Sequence, residues 1–271
     1  IITSRADFSL ALPVIRRFRL SKNLKIQVII SGYITKKKYG YPLEIIKKQI
    51  KKIDCIIYNY PKKDDANSIS TAVSNGSSKF SSAFQKLRPN YVFVFADKYE
   101  MLSPVVALVP LAIPICHIEG GDITEGAIDD NIRHAITKLS HMHFVSTNQY
   151  KKRVIQLGEE SWRIKVVGSP SLDLIKSKNL LSKKQLEKKL NVEFKDDFFL
   201  VTFHPVTHEL NDTKNQIRSL LNALSKFKHK IVFTAPNADN KRDNIDGEIK
   251  KFTKKNSNSC YLKNIDYNIY L

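Results

Sequence analysis

Apolar positions along this chain follow two periods. Short runs rich in Ile, Val, Phe and Tyr, at 26–30, 55–58, 91–95, 113–117, 142–146 and 164–167, have the length and β-branched content of buried strands. Between them, apolar residues three and four apart at 8–20, 43–52, 68–87, 99–109, 127–139 and 149–157 predict amphipathic helices. The alternation resumes after Gly168-Ser169-Pro170, with strands at 198–203, 230–234 and 260–262 and helices at 183–190, 213–227 and 241–254. Ile1-Ile2-Thr3 reads as the last piece of a further strand. Repeated strand and helix is the pattern of parallel sheets with crossover helices, so the chain is read as α/β with two Rossmann-like domains, 1–167 and 168–271.

Composition narrows the function classes. Of 271 residues 42% are apolar, enough for sizeable cores and too many for a disordered basic tail. The formal net charge is +19, yet only ten of the 45 basic residues are arginine, and the lysines are dispersed through a chain also rich in Ile and Asn. Nucleic-acid binders concentrate their charge with arginine and interleaved aromatics, so no nucleic-acid partner is expected. Cys55, Cys116 and Cys260 are far apart and form no C-x-x-C pair, which excludes a disulfide framework or zinc ribbon and points to a reducing cytoplasm. The most apolar run, 101–118, is broken by Pro104, Pro110 and Pro114, so no membrane span is expected, and no signal peptide is visible. Without an initiator Met, and stopping in the apolar run 267–271, the sequence reads as a piece of a longer chain. Nothing in it decides between a monomer and a homo-oligomer.

In parallel α/β sheets ligands bind beyond the carboxyl ends of the strands, which directs attention to the polar residues there. Asp97 and Glu119 each follow a predicted strand, and Asp129 opens a helix ten residues after Glu119. Singly these are an N-cap, a loop charge and a first-turn residue. Together they form a carboxylate set suited to acid/base work, because like charges in a partly dry cleft raise one another's pKa. Arg133 stands four residues after Asp129, placed for an intrahelical ion pair or, through its planar fork, for a diphosphate. Arg5, beside Thr3 and Ser4 at a helix N-terminus, offers a second anion site. His204 ends a strand of the second domain, where an imidazole can reach a phosphate. His134, His141 and His143 lack a complementary ligand at zinc spacing and read as hydrogen-bonded structural histidines. No metal is expected, and the absence of G-x-G-x-x-G and P-loop patterns argues against a nicotinamide or P-loop site.

The stretch from His117 to His141, H-I-E-G-G-D-I-T-E-G-A-I-D-D-N-I-R-H-A-I-T-K-L-S-H, resembles the signature of the hydrolysing UDP-N-acetylglucosamine 2-epimerases of bacterial sialic and legionaminic acid synthesis. Thr3-Ser4-Arg5-Ala6-Asp7-Phe8 is similar to that family's T-[GS]-R-A-D-[YF] opening, and Ala96-Asp97-Lys98-Tyr99-Glu100-Met101 to its G-D-R-x-E-M segment. Val201 to Thr207 and Pro236-Asn237-Ala238-Asp239 match second-domain motifs. Ala96 and Lys98 stand where the family usually has Gly and Arg.

The resemblance implies a glycosyltransferase-B-like fold with a truncated second domain and a UDP-sugar substrate without a cofactor. It assigns catalysis to Asp97, Glu119 and Asp129 and holding of UDP to Arg5, Arg133 and His204. The implied reaction removes the proton at sugar C2 as UDP leaves C1, then adds water to C1 and reprotonates C2 from the other face. Ala6-Asp7 and Leu10, where non-hydrolysing relatives carry Pro-Glu and Lys, favour the hydrolysing branch. The family continues past position 271 with a G-N-S-S-S-G-I-I-E segment that holds phosphate and ribose, so the chain as given is expected to be weak alone. A glycosyltransferase of the same fold using a UDP-sugar and an inactive epimerase fragment are the alternatives.

Overall fold

A computed structural model describes all residues except 37–41, 64, 177–179, 195–196, 237–241, 264, 266 and 271. The chain forms two compact units, Ile1–Ser177 and Lys178–Leu271.

In the first unit α1 (Arg5–Arg19), β1 (Ile29–Ser31), α2 (Pro42–Gln49), β2 (Cys55–Ile57), α3 (Ala66–Leu87) and β3 (Val92–Phe95) are followed by α4 (Leu102–Leu108), β4 (Ile115–Ile118), α5 (Ile128–Lys138), β5 (Met142–Val145), α6 (Asn148–Gln156), β6 (Ile164–Val166) and α7 (Pro170–Lys176). β1 pairs with β2, and β3 to β6 pair in sequence order, all parallel. Residues 1–3 join the two sheets. Ile2 N–H donates to Ile29 O (3.0 Å), Ser31 N–H to Ile2 O (2.9 Å), and the Ile1 nitrogen to Phe93 O (2.9 Å). Reading across, the order is β2, β1, residues 1–3, β3, β4, β5, β6. The chain winds outward in both directions from the junction of residues 1–3 with β3, and at such a switch point the carboxyl-end crevice of a doubly wound sheet opens.

Both faces are covered. Val92 and Val94 of β3 pack with Phe80, Phe84, Val105, Leu108 and Ile136 of α3, α4 and α5, while Phe93 on the other face meets Phe18 of α1 edge-on and stacks on Phe144 of β5. Gly76 in α3 lets that helix approach α4, because a Cβ there would lie 2.5 Å from Ser103 Oγ and Asn59 Nδ2.

Several boundaries moved for local reasons. The helix expected at 8–20 starts at Arg5, because Ser4 and Asp7 form a capping box. The strand expected at 26–30 is Ile29–Ser31; Val28 N–H instead donates to the Asp54 carboxylate (2.8 Å). The helix expected at 99–109 splits into a 3-10 turn, Tyr99–Met101, and α4, whose first turn takes Pro104. Gly168-Ser169-Pro170 was expected to close the domain, but Pro170 is the first residue of α7, and α7 packs on α1. The first unit therefore runs to Ser177 where the sequence reading ended it at 167.

The second unit holds α8 (Lys183–Leu190), β7 (Phe198–Thr202), α9 (Thr213–Leu224), β8 (Lys230–Thr234), α10 (Arg242–Lys255), β9 (Ser259–Leu262) and α11 (Tyr267–Tyr270). Its sheet is parallel in the order β7, β8, β9. Ile231 and Phe233 of β8 pack with Ile217, Leu221, Ile245 and Ile249 of α9 and α10.

Candidate active site

The first unit's site grows from the ends of β3 and β4. These strands are neighbours in register through Phe95 and Ile118, and Ala96 N–H donates to Ile118 O (2.9 Å), so the residues that follow them lie side by side. Ala96 and Glu119 both adopt left-handed backbone, with φ of +56° and +67°. For a residue with a Cβ this costs about 1–2 kcal/mol, and such strain gathers where a side chain must be aimed. At Ala96 the φ also gives a physical reason for glycine to be favoured.

Asp97 does not cap the helix that follows it; Lys98 holds the N-cap place of the 3-10 turn. Its carboxylate is bound instead by the Arg133 guanidinium, which is buried at 3% exposure. Burial pushes the Asp97 carboxyl above the usual aspartate range, against the opposing pull of Arg133 and then Lys98. Arg133 does more than pair. Nη1 donates to Asp122 O (2.9 Å) and Asp130 Oδ1 (3.1 Å), and Nη2 donates to Asp97 and to Thr124 Oγ1 (2.7 Å). Each Nη carries two N–H groups, so all four are engaged with the protein. The intrahelical partner is Asp130, three residues back, rather than the expected Asp129. The arginine ties Asp97 to the 122–130 loop, and a diphosphate could take an Nη donor only by displacing one of these partners.

Glu119 is held by hydroxyls. Ser146 Oγ donates to Oε2 and Ser169 Oγ to Oε1 (2.5 Å). Beneath it His117, the register partner of His143, is fully buried. Its Nε2 lies 2.9 Å from Ala96 O and its Nδ1 3.1 Å from Thr137 Oγ1. Nδ1 lies beside the Thr137 hydroxyl, which donates to Arg133 O (3.0 Å), and Nε2 carries the imidazole proton because the Ala96 carbonyl only accepts. This bond fixes Ala96 just before Asp97. Burial drives the His117 pKa down from 6.5 to about 4, and burial also lowers that of His143. The unfolded chain therefore binds more protons between these values, and stability present above pH 6.5 is lost as pH falls toward 4. The His117 share is on the order of 3 kcal/mol. Urea unfolding at pH 7 and 4.5 is expected to show this slope, reduced in His117→Gln; a flat profile would contradict the assignment.

The other expected residues are placed as follows. Asp129, half-buried, is the second residue of α5, four positions before Arg133. Arg5 is exposed as the first residue of α1, and the loop before it is shaped by buried Asp7, whose Oδ2 accepts from Thr3 N–H (3.0 Å), Thr3 Oγ1 (2.6 Å) and Ser4 N–H (2.9 Å). His204 is exposed two residues past β7, in the second unit. Of Pro236-Asn237-Ala238-Asp239, residues 237–239 lie outside the described residues. His141 Nδ1 accepts from Ile115 N–H (3.2 Å) and His143 Nε2 lies 3.2 Å from Glu159, so both have structural partners. Among the described residues no group of three potential metal ligands converges, and no helix is long and apolar enough to cross a membrane.

Residues 16–271 match the family described as UDP-N-acetylglucosamine 2-epimerase. The chain belongs to that family. Among its similar members, the GDP/UDP-N,N'-diacetylbacillosamine 2-epimerase (hydrolyzing) of Campylobacter jejuni is 37% identical over 96% of this chain and 67% of its own length. The polysialic acid biosynthesis protein P7 of Escherichia coli is 33% identical, covering 93% and 64%. The chain thus spans about two thirds of the length of the curated relatives it matches. The crystal structure of UDP-GlcNAc 2-epimerase from Neisseria meningitidis bound to UDP-GlcNAc superposes with a TM-score of 0.82 at 20% identity, covering 99% of this chain and 72% of that one. This likeness shows the shared glycosyltransferase-B-like fold.

For this UDP-N-acetylglucosamine 2-epimerase family member, sequence reasoning missed Asp130, Thr124, Ser146 and Ser169 as partners of the site. Ser146 and Ser169 lie just beyond β5 and β6, so the strand-end rule that singled out Asp97 and Glu119 points to them too.

Proposed function

We propose that the protein of which this chain is the whole or a part is a hydrolysing 2-epimerase, taking a UDP-linked 2-acetamido sugar to UDP and the free 2-epimer. UDP-N-acetylglucosamine and its 2,4-diacetamido-6-deoxy relative are the two candidate substrates. The observation that carries this reading is the pair of strand-end carboxylates, Asp97 and Glu119, on neighbouring strands at the switch point of the sheet, one bound by a buried arginine and the other by two hydroxyls.

The chemistry follows from what such a pair supplies. A carboxylate takes the proton from C2 while the C1–O bond breaks and UDP departs with its electron pair, leaving a C1–C2 double bond. Water then adds to C1 as C2 receives a proton on the opposite face. A carboxyl whose pKa is raised by burial, as at Asp97, is a stronger base than an exposed aspartate and so better suited to accept and return a proton. Asp129 is the third member of the set. Arg133 serves through Asp97, by fixing and balancing it, while Arg5 and His204 are assigned to the diphosphate.

Incubation with either UDP-sugar and no acceptor is expected to release UDP together with the manno-configured free sugar, detected by NMR. Release of the gluco-configured sugar, or transfer only when an acceptor is added, would overturn the reading; the latter outcome is that of a glycosyltransferase.

A further inference from the structure

We infer that Ser146 and Ser169 are positioning residues for Glu119, a pair of hydroxyls that fix its carboxylate through both oxygens. The kinetic consequence drawn below rests on the proposed 2-epimerase reading; the geometric one does not. β4, β5 and β6 are consecutive neighbours in the sheet, so the residues that follow them emerge together. Glu119 is the first residue beyond β4, and Ser146 the first beyond β5; Ser169 follows β6 after Val167 and Gly168. With Glu119 in left-handed backbone, its side chain reaches past the end of β5 to that of β6, accepting from Ser146 at Oε2 and from Ser169 at Oε1.

Both hydroxyls stand on fixed frames. Ser146 sits between buried Val145 and Thr147, whose Oγ1 caps α6 by accepting from Tyr150 N–H (3.2 Å). Ser169 precedes Pro170 at the start of α7, which is anchored by buried Leu174 and packs on α1. Ser169 Oγ also lies 3.0 Å from Ser171 Oγ, and because Ser169 gives its proton to Glu119, Ser171 is the donor in that pair. A glutamate has three side-chain torsions, and one hydrogen bond leaves its terminal carboxylate free to rotate. Two donors from different strands remove that freedom and set the plane as well as the position. Neither serine carries charge, so removing them changes where the carboxylate sits and not the net charge of the site.

The test uses the full chain with Ser146 and Ser169 replaced by alanine, singly and together, and by threonine. Displacing a reacting group by about 1 Å can cost a hundredfold in rate, so the double alanine variant is expected to lose roughly 30-fold in kcat while KM stays within about threefold. Each threonine variant, which keeps the hydroxyl, is expected to recover most of the rate. The crystal structure of the double alanine variant is expected to show the Glu119 carboxylate moved or split between positions, with the strand ends unchanged. An unmoved, singly ordered carboxylate overturns the inference, as does a kcat within about threefold of the parent. If the parent protein at its whole length turns over no UDP-sugar, the proposed function fails, and the carboxylate position in the two crystal structures still decides the positioning claim.

Discussion

Asp97→Asn is expected to lower turnover of the UDP-sugar about a thousandfold, the size of a lost general acid/base group, while UDP affinity changes by less than about threefold. The substitution keeps the shape of the side chain and an oxygen that still accepts from Arg133. It removes the capacity to take and return a proton. The arginine is not left as a lone buried charge, because Asp130 remains bound to Nη1 at 3.1 Å. Folding should therefore survive, and a melting curve close to that of the parent will separate the chemical effect from a structural one. Calorimetric titration with UDP supplies the binding arm. Activity within tenfold of the parent would remove Asp97 from the acid/base role.

Gly121→Ala is expected to destabilise the first unit by about 3 kcal/mol, combining left-handed strain with overpacking. Gly121 has φ +80°, and a Cβ there would lie 2.6 Å from Tyr150 O and 2.8 Å from Val154 Cγ2. The first obstacle is the backbone of α6 and cannot swing away. The loop would have to lift, and Glu119 is only two residues upstream. Gly168→Ala is the internal control. It has a similar φ of +76° but nothing within 4 Å of the added methyl, so the cost should be the conformational part alone, about 1 kcal/mol. Thermal unfolding of the two variants should rank Gly121→Ala well below Gly168→Ala. Equal melting points would mean that α6 does not brace the Glu119 loop.

Much of this design was legible before any coordinates. Among the described residues the two-period pattern located each of β1 to β9, since buried parallel strands are short β-branched runs with little else to confuse them. Even residues 1–3 were recognisable as a strand end, although only the hydrogen bonds from Ile1 and Ile2 reveal that they sit at the switch point. Asp97 and Glu119 were visible because they follow strands. The partners that hold them were not. Ser169 meets Glu119 across 50 residues of sequence, and no local period encodes that closure. Spacing also misdirected the Arg133 pair toward Asp129. Both i+3 and i+4 neighbours share a helix face, and the choice fell to Asp130 where the returning 122–124 segment offers Asp122 O and Thr124 Oγ1 to the same guanidinium. Ser4 reads in the sequence as a neighbour of an anion site at Arg5, and in the structure it forms the capping box of α1 with Asp7.

The central claim is that this site breaks and remakes the C2–H bond while expelling UDP. Turnover of UDP-N-acetylglucosamine, or of its 2,4-diacetamido-6-deoxy relative, in deuterated water tests it most directly, with the released sugar analysed by proton NMR and mass spectrometry. The account requires one solvent deuterium at C2 of the manno-configured product, with labelled product formed about a thousandfold more slowly by Asp97→Asn. A 2-epimer that keeps its original C2 hydrogen would contradict it.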